Sequence, residues 1–297
     1  MIRRPPRSTP SNSSAASDVY KRQEQNAAVN QQQVEANLDN MAQQLTQRQT
    51  AAEAWQTIFQ KPENKNWAEV KCAIKVNCIN TKNMPRVAVV GKICQELVRL
   101  GVVASNIIIY DGCSNAYGTS KYSNPDYFAT QEEPDRPLPA GVVVSNRNNS
   151  LGGTKLVNSL PGYTSVPSNA TCTADLVDGN IDILINIAVN KHHSTTYGCV
   201  TMCMKNHFGT FNPNPDGHGN YQYLIGINKS DPIIGGTPPR QQLCIIDSLW
   251  ASNTGGPGND VTHEPARIVM GTFAPAVDYL TATKIHRDVM GGTLNNT

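Results

Sequence analysis

No two of the eight cysteines in this 297-residue chain are spaced as CxxC. That spacing is the usual mark of a zinc ribbon or a ferredoxin-type cluster, so an iron–sulfur role is not expected from the cysteines. Glycine-rich phosphate loops are missing as well. SNTGGPG (residues 252–258) lacks the Gly-Lys-Ser/Thr ending of a Walker loop. No GxGxxG joins a strand to a helix and no GxSxG elbow occurs, which sets aside ordinary dinucleotide binding and the common hydrolase triad. No apolar run approaches the roughly 18 residues of a membrane helix. Charge of one sign is also absent: 25 basic residues stand against 23 acidic, a net of +2.

Even that small excess comes from one end. Residues 1–23, MIRRPPRSTPSNSSAASDVYKRQ, resemble a translated adapter of the kind found at the ends of open reading frames in shotgun assemblies. They are rich in Ser, Pro and Arg, and they have no apolar periodicity with which to build a core. They hold five basic residues (Arg3, Arg4, Arg7, Lys21, Arg22) and Asp18. Without them 25 against 23 becomes 20 against 22, a net of −2. Nucleic acid is therefore not an expected partner. Arg3-Arg4 is followed by no apolar h-region, so it does not read as a twin-arginine signal. A native N-terminus lost with this segment leaves periplasmic export and a cytoplasmic location both open, and the C-terminus reads as truncated too.

What remains suits one α/β domain over residues 61–297, preceded by a Gln/Ala-rich helical segment or linker at 24–60. VKCAIKVNC (70–78) alternates Cys72, Ile74, Val76 and Cys78 with Lys71, Ala73, Lys75 and Asn77, which predicts a strand with a polar exit. Pro85 opens a helix whose apolar face is Val89, Ile93, Leu97 and Leu100 and which Gly101 ends. NIIIYDG is the next strand and delivers Asp111. A parallel strand–helix–strand crossover follows from that order. Residues 113–175, rich in Asn, Ser, Gly and Pro, read as a long irregular insertion forming a lid or a small β subdomain, with β-like pieces such as GVVVS.

The stretch IDILINIAVNKHHSTTYGCVTMCMKNHFGTF (181–211) organises the rest. Ile181–Val189 reads as a strand buried on both faces, ending at Asn190, Lys191, His192 and His193. Ser194 to Thr196 offer N-caps for a helix over Gly198–Asn206, with Gly209 as its stop. Cys199 and Cys203, four apart on that helix, read as small buried hydrophobes. Beyond it, NPNPDGHG is a loop carrying Asp216 and His218, QYLIGINK is helical, QLCIIDSLW is a strand ending at Asp247, ARIVMGTF is a last strand, and Asp278 lies near the start of a last helix. His263 and His286 read as ordinary surface or core residues.

Four predicted strands thus bring polar groups to their carboxyl ends: Lys75 with Asn77, Asp111, Asn186 with Lys191 to His193, and Asp247. In open α/β sheets ligands sit outside those ends. The fold expectation is a Rossmann-like, mainly parallel sheet with flanking helices. The site expectation is a small anionic ligand, carboxylate or phosphate, held by Lys75, Asn77, Lys191 and Asn206. His193, His207 and Lys205 would supply acid–base chemistry, and Asp247 would orient a histidine. A divalent metal on His193, Asp111 and Asp247 is a variant of the same idea. Two other readings stand beside it: a metal- or redox-linked protein using Cys199, Cys203 and the histidines, and a non-catalytic small-ligand binder.

The segments AIKVNC, NIIIYDG, the 181–211 stretch with its KNHFGT block, NPNPDGHGN, LCIIDSLWASNTGGPG and IVMGTFAPAVDYLTATKI together resemble the family called domain of unknown function 362. The likeness spans roughly residues 50–290. Positions matching the family's polar pattern are Lys75, Asn77, Asp111, Asn186, Lys191, His193, Lys205, Asn206, Gly209, Asp247, Gly256 and Asp278. The resemblance implies a bacterial or archaeal protein, relatives of which are exported by a twin-arginine signal or carry ferredoxin-like modules; this chain lacks the cysteine spacing of the latter. The outline of strand, histidine turn and glycine-containing helix is also similar to nickel-pincer lactate racemases, though their Ser-Gly-Gly stretch is missing here.

Overall fold

The computed structural model describes residues 28–79, 83–112, 138–146, 151–212 and 219–294. The adapter-like segment, Cys113, most of the 113–140 part of the insertion, Asp216 and His218 lie outside the described residues.

Two helices come first, α1 (Gln31–Thr46) and α2 (Ala51–Ile58). Asn30 accepts from the N–H of Gln33 at the start of α1, and Thr50 with Glu53 forms a capping box on α2, so each first turn has a side-chain cap for one of its free N–H groups. Val34, Leu38 and Ala42 form the buried stripe of α1. Trp55 donates to Asp39 at 2.6 Å, and Lys92 pairs with the same carboxylate, which ties this helical pair to the next helix. The pair thereby shares a core with the sheet.

Strand β1 (Cys72–Lys75), helix α3 (Val87–Arg99), β2 (Ile107–Asp111) and β3 (Val143–Asn146) follow. Gly101, at φ +106°, closes the turn after α3. A two-stranded ribbon, β4 (Thr154–Leu156) against β5 (Thr171–Thr173), and the short α4 (Ala174–Val177) lead to β6 (Ile183–His192). Then come β7 (Val200–Thr201), α5 (Cys203–Asn206), α6 (Tyr221–Asn228), α7 (Asp231–Ile234), β8 (Gln241–Ser252), β9 (Arg267–Gly271) and α8 (Ala274–Thr281). A π-helical turn, Ala282–Arg287, continues the last helix.

The sheet runs β3-β2-β1-β6-β8-β9, with β7 hanging on β6. The first five strands are parallel and β9 is antiparallel. Its two faces are legible in the alternation of side chains. Ile74, Ile109, Ile185 and Ile245 pack beneath α1 to α3. Ala73, Tyr110 and Leu184 pack with Phe208, Phe211 and Tyr223 on the opposite side. Each such isoleucine contributes about 1.5–3 kcal/mol by leaving water. Mainly parallel α/β architecture is therefore what the chain adopts.

Several local expectations change. The polar exit of β1 is itself buried: strands flank β1 on both edges, its four residues are all buried, and Lys75 and Asn77 lie inside. GVVVS is no part of a separate lid: Val143 to Asn146 extend the main sheet beside β2. β6 does not stop at Val189 but continues to His192, since Lys191 and His192 pair with Thr201 and Val200. That pairing removes the helix expected over 198–206. Gly198 and Cys199 both take positive φ (+81° and +65°), Val200-Thr201 form β7, and only Cys203–Asn206 is helical. Cys199 therefore lies in a turn, not on a helix with Cys203. Asp247 sits inside β8, which runs on to Ser252.

Candidate functional site

The polar groups gather at the carboxyl ends of β1, β2 and β6, but most of them face one another. Lys75 is almost fully buried, and its ammonium donates to Val76 O at 2.6 Å, Asp111 Oδ1 at 2.7 Å and Asn206 Oδ1 at 2.9 Å. An ammonium has three donors, and all three are engaged. Asp111 Oδ2 accepts from the N–H of Cys78, and Oδ1 also accepts from Gly112. Gly209 lies flat against this pair; a Cβ there would come within 2.6 Å of Asp111 Oδ1 and of Lys75 Cε. The glycine of the KNHFGT block is thus the residue that lets a buried ion pair fit.

Asn206 passes the network on. Its Nδ2 donates to Asn186 Oδ1 at 2.8 Å, and Asn186 Nδ2 donates to Cys203 O at 2.9 Å. His207, fully buried, has Nε2 at 2.6 Å from Gln241 Oε1 and Nδ1 at 3.2 Å from Thr210 Oγ1, which in turn is 2.8 Å from Tyr110 OH. Nε2 also lies 3.0 Å from Asn186 Nδ2, which joins the ring to the asparagine network. Burial holds the His207 pKa down at about 4, so the ring is neutral at pH 7. Lys191, also fully buried, donates to Asn77 Oδ1 at 2.8 Å. Asp247 Oδ2 accepts from the N–H of Arg86 and Oδ1 from that of Leu249, which fixes the start of α3 against β8. Burial raises the Asp247 pKa, with Arg86 opposing the rise.

Lys205 is different. Its side chain is nine-tenths buried, yet among the described residues its ammonium has no carboxylate within ion-pair distance. Its hydrogen-bond acceptor is the carbonyl of Tyr197. Burial lowers its pKa to about 8. The Tyr197 ring stands edge-on to His193, centroids 5.1 Å apart, so Tyr197 bridges the two candidate groups. His193 Nδ1 accepts from the N–H of Ser194 at 2.9 Å, which places the neutral ring's proton on Nε2. Gly198, at φ +81°, packs beside the amine: a Cβ there would touch Lys205 Nζ at 3.8 Å and the Tyr221 ring at 3.7 Å. Asp278, reaching from α8, accepts from the N–H groups of Cys203 and Met204 and so caps the turn that carries Lys205. Desolvation of that carboxyl end raises its pKa to about 7.

The structure therefore brings Lys75, Asp111 and Asn206 together as one network with Asn186 and His207, joins Asn77 to Lys191, and sets Lys205 beside His193 through Tyr197. Asp247 lies against α3, away from that histidine pairing in its hydrogen bonds. Among the described residues no group of three or more His, Cys, Asp or Glu is arranged to hold a metal ion, so His193, Asp111 and Asp247 do not assemble as a ligand set. Tyr197, Gly198 and Tyr221 were not singled out from sequence. A Tyr-Gly pair directly after Ser-Thr-Thr is a turn signal, and the turn is what carries them.

No curated protein is similar enough to this chain to count as a match. A family model does match, over residues 72–283, which takes in β1 to α8 and every candidate residue above. With that span covered, the chain belongs to the family described as Domain of unknown function (DUF362).

Proposed function

We propose that this protein is an enzyme acting on a small anionic substrate, a carboxylate or phosphate, at the turn between β6 and α5. The observation that carries this reading is Lys205: a buried amine that lacks a carboxylate partner among the described residues, while Lys75 nearby has its full set of acceptors. Asp278 favours the ammonium from a distance, yet burial still lowers the Lys205 pKa to about 8, and an anionic ligand in direct contact would offset that desolvation. Lys205 is the anion-binding group in this proposal, and His193, carrying its proton on Nε2, is the group that gives or takes a proton. Lys75, Asp111, Asn186 and His207 form one hydrogen-bonded network with Asn206, the residue next to Lys205 in the chain.

The test separates binding from turnover. Small carboxylates and phosphates are titrated into the full chain by calorimetry and incubated for product. Lys205→Met is expected to lose binding by at least about tenfold, the scale of one lost charged hydrogen bond. His193→Ala is expected to keep binding and lose turnover. Wild-type protein that binds a ligand and turns over none of those tested would instead favour a binding protein.

A further inference from the structure

We propose that this protein is a homodimer, in which two copies join edge to edge through β9 and pack α8 against its twin across a two-fold axis. The proposal is independent of the anion site. Among the described residues β9 pairs with β8 alone, and no other hydrogen bond reaches the main chain of Arg267 to Gly271. Ala266 donates to Leu249 O in register with this ladder. The alternation of an antiparallel pair then turns the N–H and C=O groups of Arg267, Val269 and Gly271 outward. Open edges are usually blunted by lysine, proline or a bulge. Here the register with β8 is unbroken, the strand has no proline, and its one charge is at the first residue. Ile268, Val269 and Met270 are left half-buried.

The flank of α8 on that side is apolar. Asp278 caps α5, and His286 in the π-helical turn bonds Asn190 of β6, so their flank faces the middle of the sheet. At about 100° per residue, Ala276 and Leu280 lie on the opposite flank, each two residues from Asp278. Both are exposed, Leu280 by 48%, and Phe273 at the helix start by 66%. Phe273 alone offers on the order of 100–150 Å². A stable interface takes about 800 Å² from each partner, so this flank can form its apolar centre and the β9 edge the remainder. A foreign strand would use the edge and leave Phe273 and Leu280 bare; a second copy covers both. With the axis through Val269, the middle of the strand, Ile268 meets Met270 of the second copy and Arg267 meets its Gly271. The one charge thus faces the residue without a side chain. α8 packs over β8 and β9, close enough that a Cβ on Gly271 would come within 2.8 Å of Val277. With strands about 4.8 Å apart, the two α8 axes lie about 10 Å apart across the two-fold, the distance at which helices pack. Val269 packs with the clusters of both Val277 and Ile285, so the axis crosses α8 near Leu280.

Sedimentation velocity of the full chain, from about 1 to about 100 μM, reads the mass. The expected result is twice the mass of one chain and no growth beyond it, because an isologous contact closes at two. Leu280→Lys sets like charges against each other near the axis and should weaken the dimer at least about tenfold. Its circular dichroism and Tm as a monomer should match wild type, since Leu280 is exposed in the single chain. Hydrogen exchange on the wild-type protein needs no variant: the amides of Arg267, Val269 and Gly271 should exchange more slowly as concentration rises. A monomer at every concentration overturns the proposal, as does a mass that keeps growing. A dimer that Leu280→Lys leaves intact, or whose β9 amides keep one rate throughout, uses another surface and overturns it too.

Discussion

At the scale of single residues, the buried ion pair of Lys75 and Asp111 depends on Gly209 having no side chain. The glycine's φ is unremarkable, so conformational freedom is not the reason; close approach is. Gly209→Ala would drive a methyl to 2.6 Å from Asp111 Oδ1 and 2.7 Å from Lys75 Nζ. Either the backbone of His207–Gly209 shifts or the pair separates. Overpacking costs about 1–3 kcal/mol, and a broken buried pair costs about 3–5 kcal/mol. A loss of roughly 2–4 kcal/mol is expected, read as a lower urea midpoint at unchanged slope. A midpoint within error of wild type would show that the pair yields easily. From sequence, Lys75 and Asp111 were legible as polar groups at the carboxyl ends of two strands, and Gly209 as a stop. That the ammonium's three donors all find protein acceptors was not legible, because it depends on Asn206 arriving from a distant segment.

At the scale of elements, the four-residue helix α5 is too short to be stable by itself, and its first N–H groups are bonded by Asp278 from α8. The cap is supplied in trans, so the last helix of the chain holds the turn that carries Lys205 and Asn206. Asp278→Ala removes both acceptors. Loss of a capping carboxylate costs about 0.5–2 kcal/mol, and here it also loosens the lysine. The expected outcome is a modest fall in stability together with weaker anion binding. Asp278→Asn, which keeps one oxygen acceptor, should restore much of the stability. Unchanged binding in Asp278→Ala, at reduced stability, would show that the cap serves the fold alone. The sequence marked Asp278 as part of a helix, and it marked the 181–189 strand correctly in kind. It misled over 198–206, where Ser194 to Thr196 offered N-caps for a helix. Two positive-φ residues and the pairing of Val200-Thr201 with β6 override that local preference. Gly198 alone carried a sign of the break.

For the molecule as a whole, the mainly parallel α/β sheet was legible because apolar runs bounded by turns recur in the order strand, helix, strand, and a strand buried on both faces needs little beyond that pattern. The burial of so many polar residues was less so. Asn186, Asn190, Lys191, His207 and His286 are all fully buried, and sequence shows polarity without showing who satisfies it. That polar interior makes stability depend on pH. His207 has a folded-state pKa of about 4 against about 6.5 when unfolded, because burial disfavours the imidazolium and Lys75 repels it. Between those values the unfolded chain binds more protons than the folded one. Stability from this group is present above about pH 6.5, falls as pH drops towards 4, and loses nothing further below that. From pH 7 to pH 5 the loss is roughly 2 kcal/mol. His286, hydrogen-bonded to Asn190 at 3.0 Å, is shifted in the same direction to about 4 and adds to the slope. Urea denaturation at a series of pH values should therefore show the midpoint falling between pH 7 and 5. His207→Gln should flatten that fall while lowering stability at pH 7, since it removes the titrating ring along with its packing. A variant with the wild-type slope would mean that His207 accepts a proton in the folded state at its ordinary pKa, and that the network joining Gln241, Thr210 and Tyr110 around it is open to water.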